Sequence, residues 1–184
     1  MSDVRKFLFL FLVIFGLSGC VSFTSPLSPE FIPNNSGYIY GKFKQVDSVS
    51  FGRLRFGVAV RNVDTQKEYT IQFEEGDDLS IQAYSVPPGR YQLFKLVYAT
   101  VDYMSAGSDL ITNEYLSKHF NVKEDQAVYI GDYLADTNVS SGFNTTTQSW
   151  QLKKVEMNYE DTTALFRGKY KRLVDTDSTQ AFSP

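Results

Sequence analysis

The chain of 184 residues contains one cysteine, one histidine and one tryptophan, and these scarcities exclude several kinds of site. A single cysteine, Cys20, cannot form an internal disulfide or supply the thiolates of a structural zinc site. A single histidine, His119, excludes zinc motifs of the H-E-x-x-H type, and we interpret it as a strand-edge residue. There is no G-x-S-x-G nucleophile motif and no glycine-rich phosphate loop. We therefore predict no catalytic residues, no metal ion and no cofactor.

Cys20 closes an apolar stretch that starts directly after the cationic pair Arg5-Lys6. Residues 7–15 are almost wholly apolar, and the stretch ends in Leu17-Ser18-Gly19-Cys20, which resembles a bacterial lipobox. The alternative is an uncleaved transmembrane anchor. Residues 7–19, however, make only roughly 20 Å of helix, against a hydrocarbon core of about 30 Å.

The resemblance to a lipobox implies that residues 1–19 are a signal peptide and that Cys20 carries acyl chains. More than one chain anchors a protein stably, whereas a single chain binds a membrane only marginally. Val21 follows the cysteine, where lipoproteins retained in the inner membrane of Gram-negative bacteria often have Asp. The resemblance therefore implies a membrane partner through Cys20, at the periplasmic face of the outer membrane.

The charge of the mature chain argues against a nucleic-acid partner. Removal of residues 1–19 takes away Asp3, Arg5 and Lys6 and leaves 16 basic and 20 acidic residues, a net charge of about −4. Nucleic-acid binding needs a clustered cationic surface. The densest basic cluster lies near the C-terminal end, and we interpret it as a solvated face. Its residues are Arg167, Lys169, Lys171 and Arg172.

The composition along the chain predicts one domain with two polar ends. Residues 20–36 contain three prolines and several serines, so we expect an acylated cysteine followed by a flexible tether. Residues 37–174 form the predicted domain, which is long enough for a sizeable core. Residues 175–184 are polar, and we expect a disordered tail.

Between these ends the apolar residues recur with a period of two, which indicates strands. Residues 54–60 show this pattern clearly, and residues 38–46, 69–73, 79–83, 91–101 and 127–134 extend it. Strands at short intervals without intervening helical patterns predict an all-β fold, a single mostly antiparallel sandwich of seven to nine strands. A short helix over residues 161–171, capped by Asp161 or Thr162, is the exception.

Pro88-Gly89-Arg90-Tyr91 resembles the P-G-x-Y strand entry of immunoglobulin-like (fibronectin-like) and transthyretin-like sandwiches. Together with Val128-Tyr129-Ile130-Gly131-Asp132 it also resembles bacterial lipoproteins of uncharacterised function that have a transthyretin-like or carboxypeptidase-regulatory-like sandwich. The resemblance covers residues 37–134. It implies the fold rather than an activity, and we expect Tyr91 and Tyr129 to pack and to tie down corners.

Three further segments are candidates for binding. Trp150 follows a predicted polar loop, residues 138–149, that includes Phe143 and Asn144, and an exposed indole beside amides is typical of a sugar-binding surface. The alternative is that Trp150 fills the core. Residues 103–112 form a second long predicted loop. The carboxylates of residues 74–78 could hold calcium, although a solvated acidic turn is the commoner arrangement.

These observations predict a membrane-anchored envelope lipoprotein whose sandwich is a non-catalytic binding or scaffolding module. Its expected partner is an envelope protein. The first alternative is a carbohydrate- or peptidoglycan-binding lipoprotein that uses Trp150, Phe143 and Asn144, and a hydrolase is the second.

Overall fold

A computed structural model describes residues 23–47, 54–75, 81–100, 106–111, 117–141, 146–154 and 158–182. Within these ranges the chain forms eleven strands, one α-helix and one turn of 3-10 helix. The strands are β1 (Gly37–Asp47), β2 (Leu54–Asn62), β3 (Glu68–Gln72), β4 (Glu74–Glu75), β5 (Ile81–Val86), β6 (Gly89–Thr100), β7 (Ala106–Leu110), β8 (His119–Val122), β9 (Gln126–Ser141), β10 (Thr146–Lys154) and β11 (Asp177–Gln180). Helix α1 spans Tyr159–Lys169, and the 3-10 turn spans Lys171–Leu173.

Sheet I is built on a parallel pair, β1 and β9. The other edge of β1 pairs antiparallel with β5 and, further along, parallel with β4. The other edge of β9 pairs parallel with β11 and, further along, antiparallel with β10. Sheet I is therefore mixed, but six of the nine described strand pairs of the two sheets are antiparallel, as the sequence pattern predicts.

A β-bulge interrupts the register of the central pair. Tyr40 pairs with Tyr129, but the next residue, Gly41, pairs with Gly131, so β9 has one extra residue here. A Cβ on Gly41 would lie 2.2 Å from the carbonyl oxygen of Gly131, and Gly131 itself has a φ of 125°. The bulge reverses the alternation of β9, because one extra residue moves every later side chain to the opposite face.

Sheet II is antiparallel throughout its described pairs. Strand β2 lies between β3 and β6, and the outer edge of β6 pairs first with β8 and then with β7. Residues 106–110 therefore belong to a strand, β7, and not to the long loop expected over residues 103–112. The sequence of β7 does not alternate apolar and polar residues, so the pattern did not predict a strand. Its main-chain hydrogen bonds to β6 form without such alternation.

The two sheets enclose the main core, which confirms the all-β sandwich. The alternation of β2 places Phe56, Val58 and Val60 inside, and each is at most 2% exposed. Phe43 of sheet I stacks on Tyr133 at 5.9 Å and lies 5.7 Å from Phe73. Because aromatic rings bury large apolar areas, a core of this kind needs no disulfide.

The two expected corner tyrosines differ in what their hydroxyls do. Tyr91 is fully buried, and its hydroxyl donates to the carbonyl of Pro87 at 2.6 Å, so the expectation of a tied corner is confirmed there. Tyr129 is also fully buried, but its hydroxyl faces the Asp132 side chain and makes no hydrogen bond of normal geometry within the described part of the chain. Tyr129 therefore packs without tying a corner.

Helix α1 covers the outer face of sheet I and forms a third layer. Phe166 stacks on Tyr40 of β1 at 4.2 Å, and the hydroxyl oxygen of Tyr170 accepts a hydrogen bond from Ala83 N–H of β5 at 3.2 Å. The predicted helix is confirmed, but its cap is Asn158, whose side chain accepts from Asp161 N–H. Asp161 therefore does not cap the helix. Its backbone N–H lies in the first turn, where it has no partner within the helix, and it is the group that Asn158 satisfies.

The strand number exceeds the expected seven to nine because β4 and β11 have only 2 and 4 residues and no apolar alternation. Strand β11 also corrects the expectation of a disordered tail over residues 175–184. Ser178 and its neighbours pair with the first residues of β9, and Phe182 is 2% exposed in the main core. Backbone pairing and one aromatic anchor order this polar segment.

Candidate functional site

The residues predicted to carry function lie mostly outside the described residues. Cys20, Phe143 and Asn144 are among those that the structure does not describe, as are residues 76–80 of the acidic turn. Trp150 lies in β10 with its backbone opposite Thr137, and its side chain is outside the description. The lipidation of Cys20 and the glycan-binding role of Trp150, Phe143 and Asn144 therefore stay predictions.

The polar loop expected before Trp150 is largely a hairpin. Strand β9 continues to Ser141 and β10 begins at Thr146, with Ser141 opposite Thr146. Only residues 142–145 lie between the two strands. The expectation of a loop over residues 138–149 was wrong, because Thr, Ser and Val are compatible with strands even where the sequence shows no alternation of apolar and polar residues.

The first described residues after Cys20 bridge the two sheets. We call Phe23 to Leu27 the attachment segment. Thr24 N–H donates to the carbonyl of Thr70 in β3 at 2.8 Å, and Thr70 N–H donates to Thr24 Oγ1 at 3.0 Å. Leu27 N–H donates to the carbonyl of Ala83 in β5 at 2.6 Å. The segment therefore bonds to an edge strand of each sheet.

Apolar contacts hold the rest of the N-terminal region to the domain. Leu27 is 8% exposed and joins the cluster between α1 and sheet I, and Ile32 packs against the same cluster. Tyr38 donates its hydroxyl to the carbonyl of Pro33 at 3.2 Å. Residues 23–36 thus differ from the expected free tether, because two apolar side chains and isolated backbone bonds fix a segment that has no periodic pattern.

Phe23 extends the attachment segment onto the outer face of sheet II. A Cβ built on Gly57 of β2 would lie 2.8 Å from Phe23 Cε1 and 3.2 Å from Val97. Gly57 points away from the core, because its neighbours Phe56 and Val58 point inward. The missing side chain of Gly57 thus makes room for the Phe23 ring on the outside of the sheet.

The same outer face carries cations and apolar groups. The Arg61 guanidinium lies 3.5 Å from the centroid of the Phe94 ring, and the Lys95 ammonium forms an ion pair with Glu68 at 2.7 Å. Leu110, which pairs with Lys95, is 65% exposed. Arg55 follows the same alternation as Gly57 and Arg61. Between these groups, Ala59, Val97 and Ala99 of the same face are buried, and each is at most 1% exposed.

Asp132 is a buried carboxylate on the opposite side of the sandwich, under α1. It is 2% exposed, accepts from Thr162 Oγ1 at 2.9 Å and from Lys42 N–H at 3.2 Å, and lies 3.9 Å from Lys42 Nζ. Burial raises the pKa of this carboxyl, and the bonds from Thr162 and Lys42 oppose the rise. Since its bonds run to β1 and to the first turns of α1, Asp132 fastens the helix to the sheet.

The sequence gives one retrospective signal for Asp132. Before Gly131, the odd-numbered residues Ala127 and Tyr129 face outward, towards α1. If this alternation continued, residue 132 would face the main core. The bulge instead sends Tyr133 into the core and Asp132 outward under α1. A glycine followed by a polar residue at a position where the alternation predicts an apolar one is thus a sequence pattern that indicates a bulge.

Hydroxyl groups complete the polar layer beneath α1. Tyr40 shares hydrogen bonds with Thr163 Oγ1 at 2.7 Å and with Ser178 Oγ at 2.6 Å. Tyr159 donates to the carbonyl of Ser178 at 2.5 Å. Burial raises the pKa of Tyr40 to about 12 and also raises that of Tyr129, so both phenols stay protonated near neutral pH. The layer joins α1, β1 and β11 by neutral hydrogen bonds.

The basic cluster falls at the C-terminal end of α1 and in the 3-10 turn. Arg167, Lys171 and Arg172 are exposed, which agrees with a solvated face. Lys169 Nζ instead donates to the carbonyl of Ile81 at 2.6 Å and fixes the helix end to β5. Cations at this end also complement the helix dipole.

Other sequence candidates give no site within the described ranges. His119 begins β8 and is exposed, as expected of a strand-edge residue. No cluster of metal-ligating side chains occurs among the described residues. None of the helices in that part of the chain is long and apolar enough to span a membrane.

Comparisons with known proteins give weak structural likenesses only. No protein family and no curated protein matches the chain. Two solved structures that it resembles are described as candidate cell adhesion proteins, from Bacteroides fragilis and Bacteroides ovatus. The first is 11% identical with a TM-score of 0.30, over 68% of this chain and 47% of that one. The second is 10% identical with a TM-score of 0.26, over 67% and 46%. The matched region thus spans about half the length of each.

Proposed function

We propose that this protein is an envelope lipoprotein, anchored through acyl chains on Cys20 at the periplasmic face of the outer membrane. Its sandwich serves as a non-catalytic module that binds or scaffolds another envelope protein. The observation that carries the proposal is the sequence Leu17-Ser18-Gly19-Cys20, which ends an apolar stretch in the only cysteine of the chain.

The anchor is tested by replacing the acylated residue. We expect Cys20→Ser to accumulate as precursor without acyl chains and to leave the membrane fraction or remain there by its uncleaved signal peptide. Intact mass spectrometry distinguishes precursor from acylated protein. Ser25→Ala, an exposed position downstream, serves as the control and should mature normally. Normal processing of Cys20→Ser would show that the lipobox assignment is wrong.

The partner is tested with the acylated protein in cells, by cross-linking, pull-down and mass spectrometry. Recovery of one abundant envelope protein, absent when Cys20→Ser is used as bait, supports the scaffolding role. Recovery of peptidoglycan fragments without a protein partner would favour the glycan-binding alternative.

Trp150 gives a direct test of that alternative, since it is the only tryptophan and its fluorescence reports on one side chain. We expect blue-shifted emission that soluble quenchers reach poorly, as for an indole that fills the core. Red-shifted emission that changes on adding peptidoglycan fragments would contradict this and favour glycan binding. Trp150→Phe is the control for the tyrosine background.

A further inference from the structure

The exposed face of helix α1 carries charges that change sign along the helix axis. Glu160 and Asp161 lie in its first turn, and Lys171 and Arg172 lie in the 3-10 turn that follows it. All four residues are exposed. Within the chain, Asn158 donates a hydrogen bond to one carboxylate oxygen of Asp161. The face is therefore negative at one end and positive at the other.

The middle of the same face is apolar. Leu165 is 53% exposed, and Gly168 is also exposed, three residues further along the helix. A Cβ built on Gly168 would have no neighbouring atom within 4 Å, so the packing of α1 on sheet I leaves room for a larger side chain there. Glycine also makes a helix less stable than alanine does. The dipole of a lone helix accounts for the charges at its two ends, but not for an exposed leucine beside a glycine.

Helical periodicity places these groups in one row. Asp161, Leu165, Gly168 and Arg172 are separated by four, three and four residues, which is the spacing of neighbours on one side of a helix. The opposite side of α1 packs on sheet I through Phe166. The row therefore lies on the outward side of the third layer, where a partner can reach it.

The row is complementary to a reversed copy of itself. The midpoint between Asp161 and Arg172 along the chain is also the midpoint between Leu165 and Gly168. In an antiparallel pair of helices with a two-fold axis at this point, Asp161 of each copy faces Arg172 of the other. Leu165 of each copy then faces Gly168 of the other, so that a large side chain meets a free space. A parallel pair would instead bring like charges together.

We propose that α1 packs antiparallel on α1 of a second copy of this chain and forms a two-fold symmetric dimer. This dimer goes beyond the proposed function and does not depend on the acylation of Cys20. One short helix from each copy makes a small interface, so the dimer is reversible. Its ion pairs lie at the two ends of the contact, close to water, and salt therefore weakens them.

Charge reversals test the pairing in the full-length protein, purified in a mild detergent. Glu160→Lys with Asp161→Lys makes both ends of the face basic, and Lys171→Glu with Arg172→Glu makes both ends acidic. In analytical ultracentrifugation we expect the wild type to reach twice the monomer mass. Each variant alone should self-associate about tenfold more weakly, because like charges then meet. An equimolar mixture of the two variants should form a heterodimer, since basic ends then meet acidic ends.

A matched control separates this contact from the effect of net charge. Lys67→Glu with Lys123→Glu changes the net charge as much as the acidic variant does, at exposed positions outside α1 and the 3-10 turn, and should dimerise like the wild type. Circular dichroism establishes that every variant is folded.

Three results would overturn the dimer. These are a wild type that stays monomeric at every concentration, a wild-type dimer that the reversals on α1 leave unchanged, and reversals whose mixture does not restore association. Cys20 is the same in all of these proteins, so such a result would leave the lipoprotein proposal intact.

Discussion

The two outer faces of the sandwich are built in opposite ways. The outer face of sheet I is sealed by α1, whose Phe166 stacks on Tyr40 and whose Thr162 bonds the buried Asp132. The outer face of sheet II keeps Arg61 and Lys95 at the surface, with Phe23 as an added apolar contact. The first face is thus closed by a helix, whereas the second combines the buried residues Ala59, Val97 and Ala99 with partly exposed cations.

The largest effect that separates the two faces should come from Phe166→Ala. Phe166 is fully buried between α1 and sheet I, so its loss should lower the free energy of unfolding by about 3–5 kcal/mol. Urea unfolding followed by circular dichroism measures it. Leu165→Ala, one residue away and 53% exposed, should change stability by no more than about 0.5 kcal/mol. Equal effects of the two changes would mean that α1 is not part of the folded unit.

Substitutions of Asp132 sharpen the comparison at the polar part of the same layer. Asp132→Ala should cost about 1–3 kcal/mol, because Thr162 Oγ1 loses its buried acceptor. Asp132→Asn keeps the shape and an acceptor oxygen, and it cannot ionise. Urea unfolding at several pH values distinguishes the role of the charge.

The sign of the pH dependence follows from the raised pKa. The folded state binds the Asp132 proton more tightly than the unfolded state, whose pKa stays near the ordinary 3.8. The wild type should therefore match Asp132→Asn below the unfolded pKa and lose stability relative to it as the pH rises through the folded pKa. A wild type that gains on Asp132→Asn with rising pH would show that the ionised carboxylate is net favourable.

The smallest of these effects should occur on the outer face of sheet II. Phe23 is half-buried over Gly57, so Phe23→Ala should lower the free energy of unfolding by about 1–2 kcal/mol. Ser25→Ala, an exposed residue of the same segment, should be neutral. If Phe23→Ala were also neutral in urea unfolding, this contact would not hold the attachment segment to sheet II.

Sequence patterns predicted the sandwich where burial on one face imposes alternation, as in residues 54–60. They failed where backbone pairing acts without that pattern: β7, β11 and the outer part of the β9–β10 hairpin are all polar segments. The attachment segment was missed for a related reason, since two apolar residues and single hydrogen bonds leave no period to detect.

The candidate sites divide in the same way. The predicted lipobox is a contiguous segment, so the sequence alone suggests it, and Cys20→Ser tests it chemically. Asp132, Lys42 and Thr162 lie 30 to 90 residues from one another where they bond, so no local pattern connects them. Only the tyrosine corner at Tyr91 was both local and confirmed, because its partner Pro87 is four residues away.

The sequence by itself determined the all-β class, the short C-terminal helix and the motif that ends in Cys20, because each depends on residues close together in the chain. The tertiary structure decided the parallel β1–β9 pair, the polar layer under α1 and the attachment of residues 23–27 to both sheets. These depend on contacts between segments far apart in sequence, where backbone groups and single side chains find partners that composition and period do not specify.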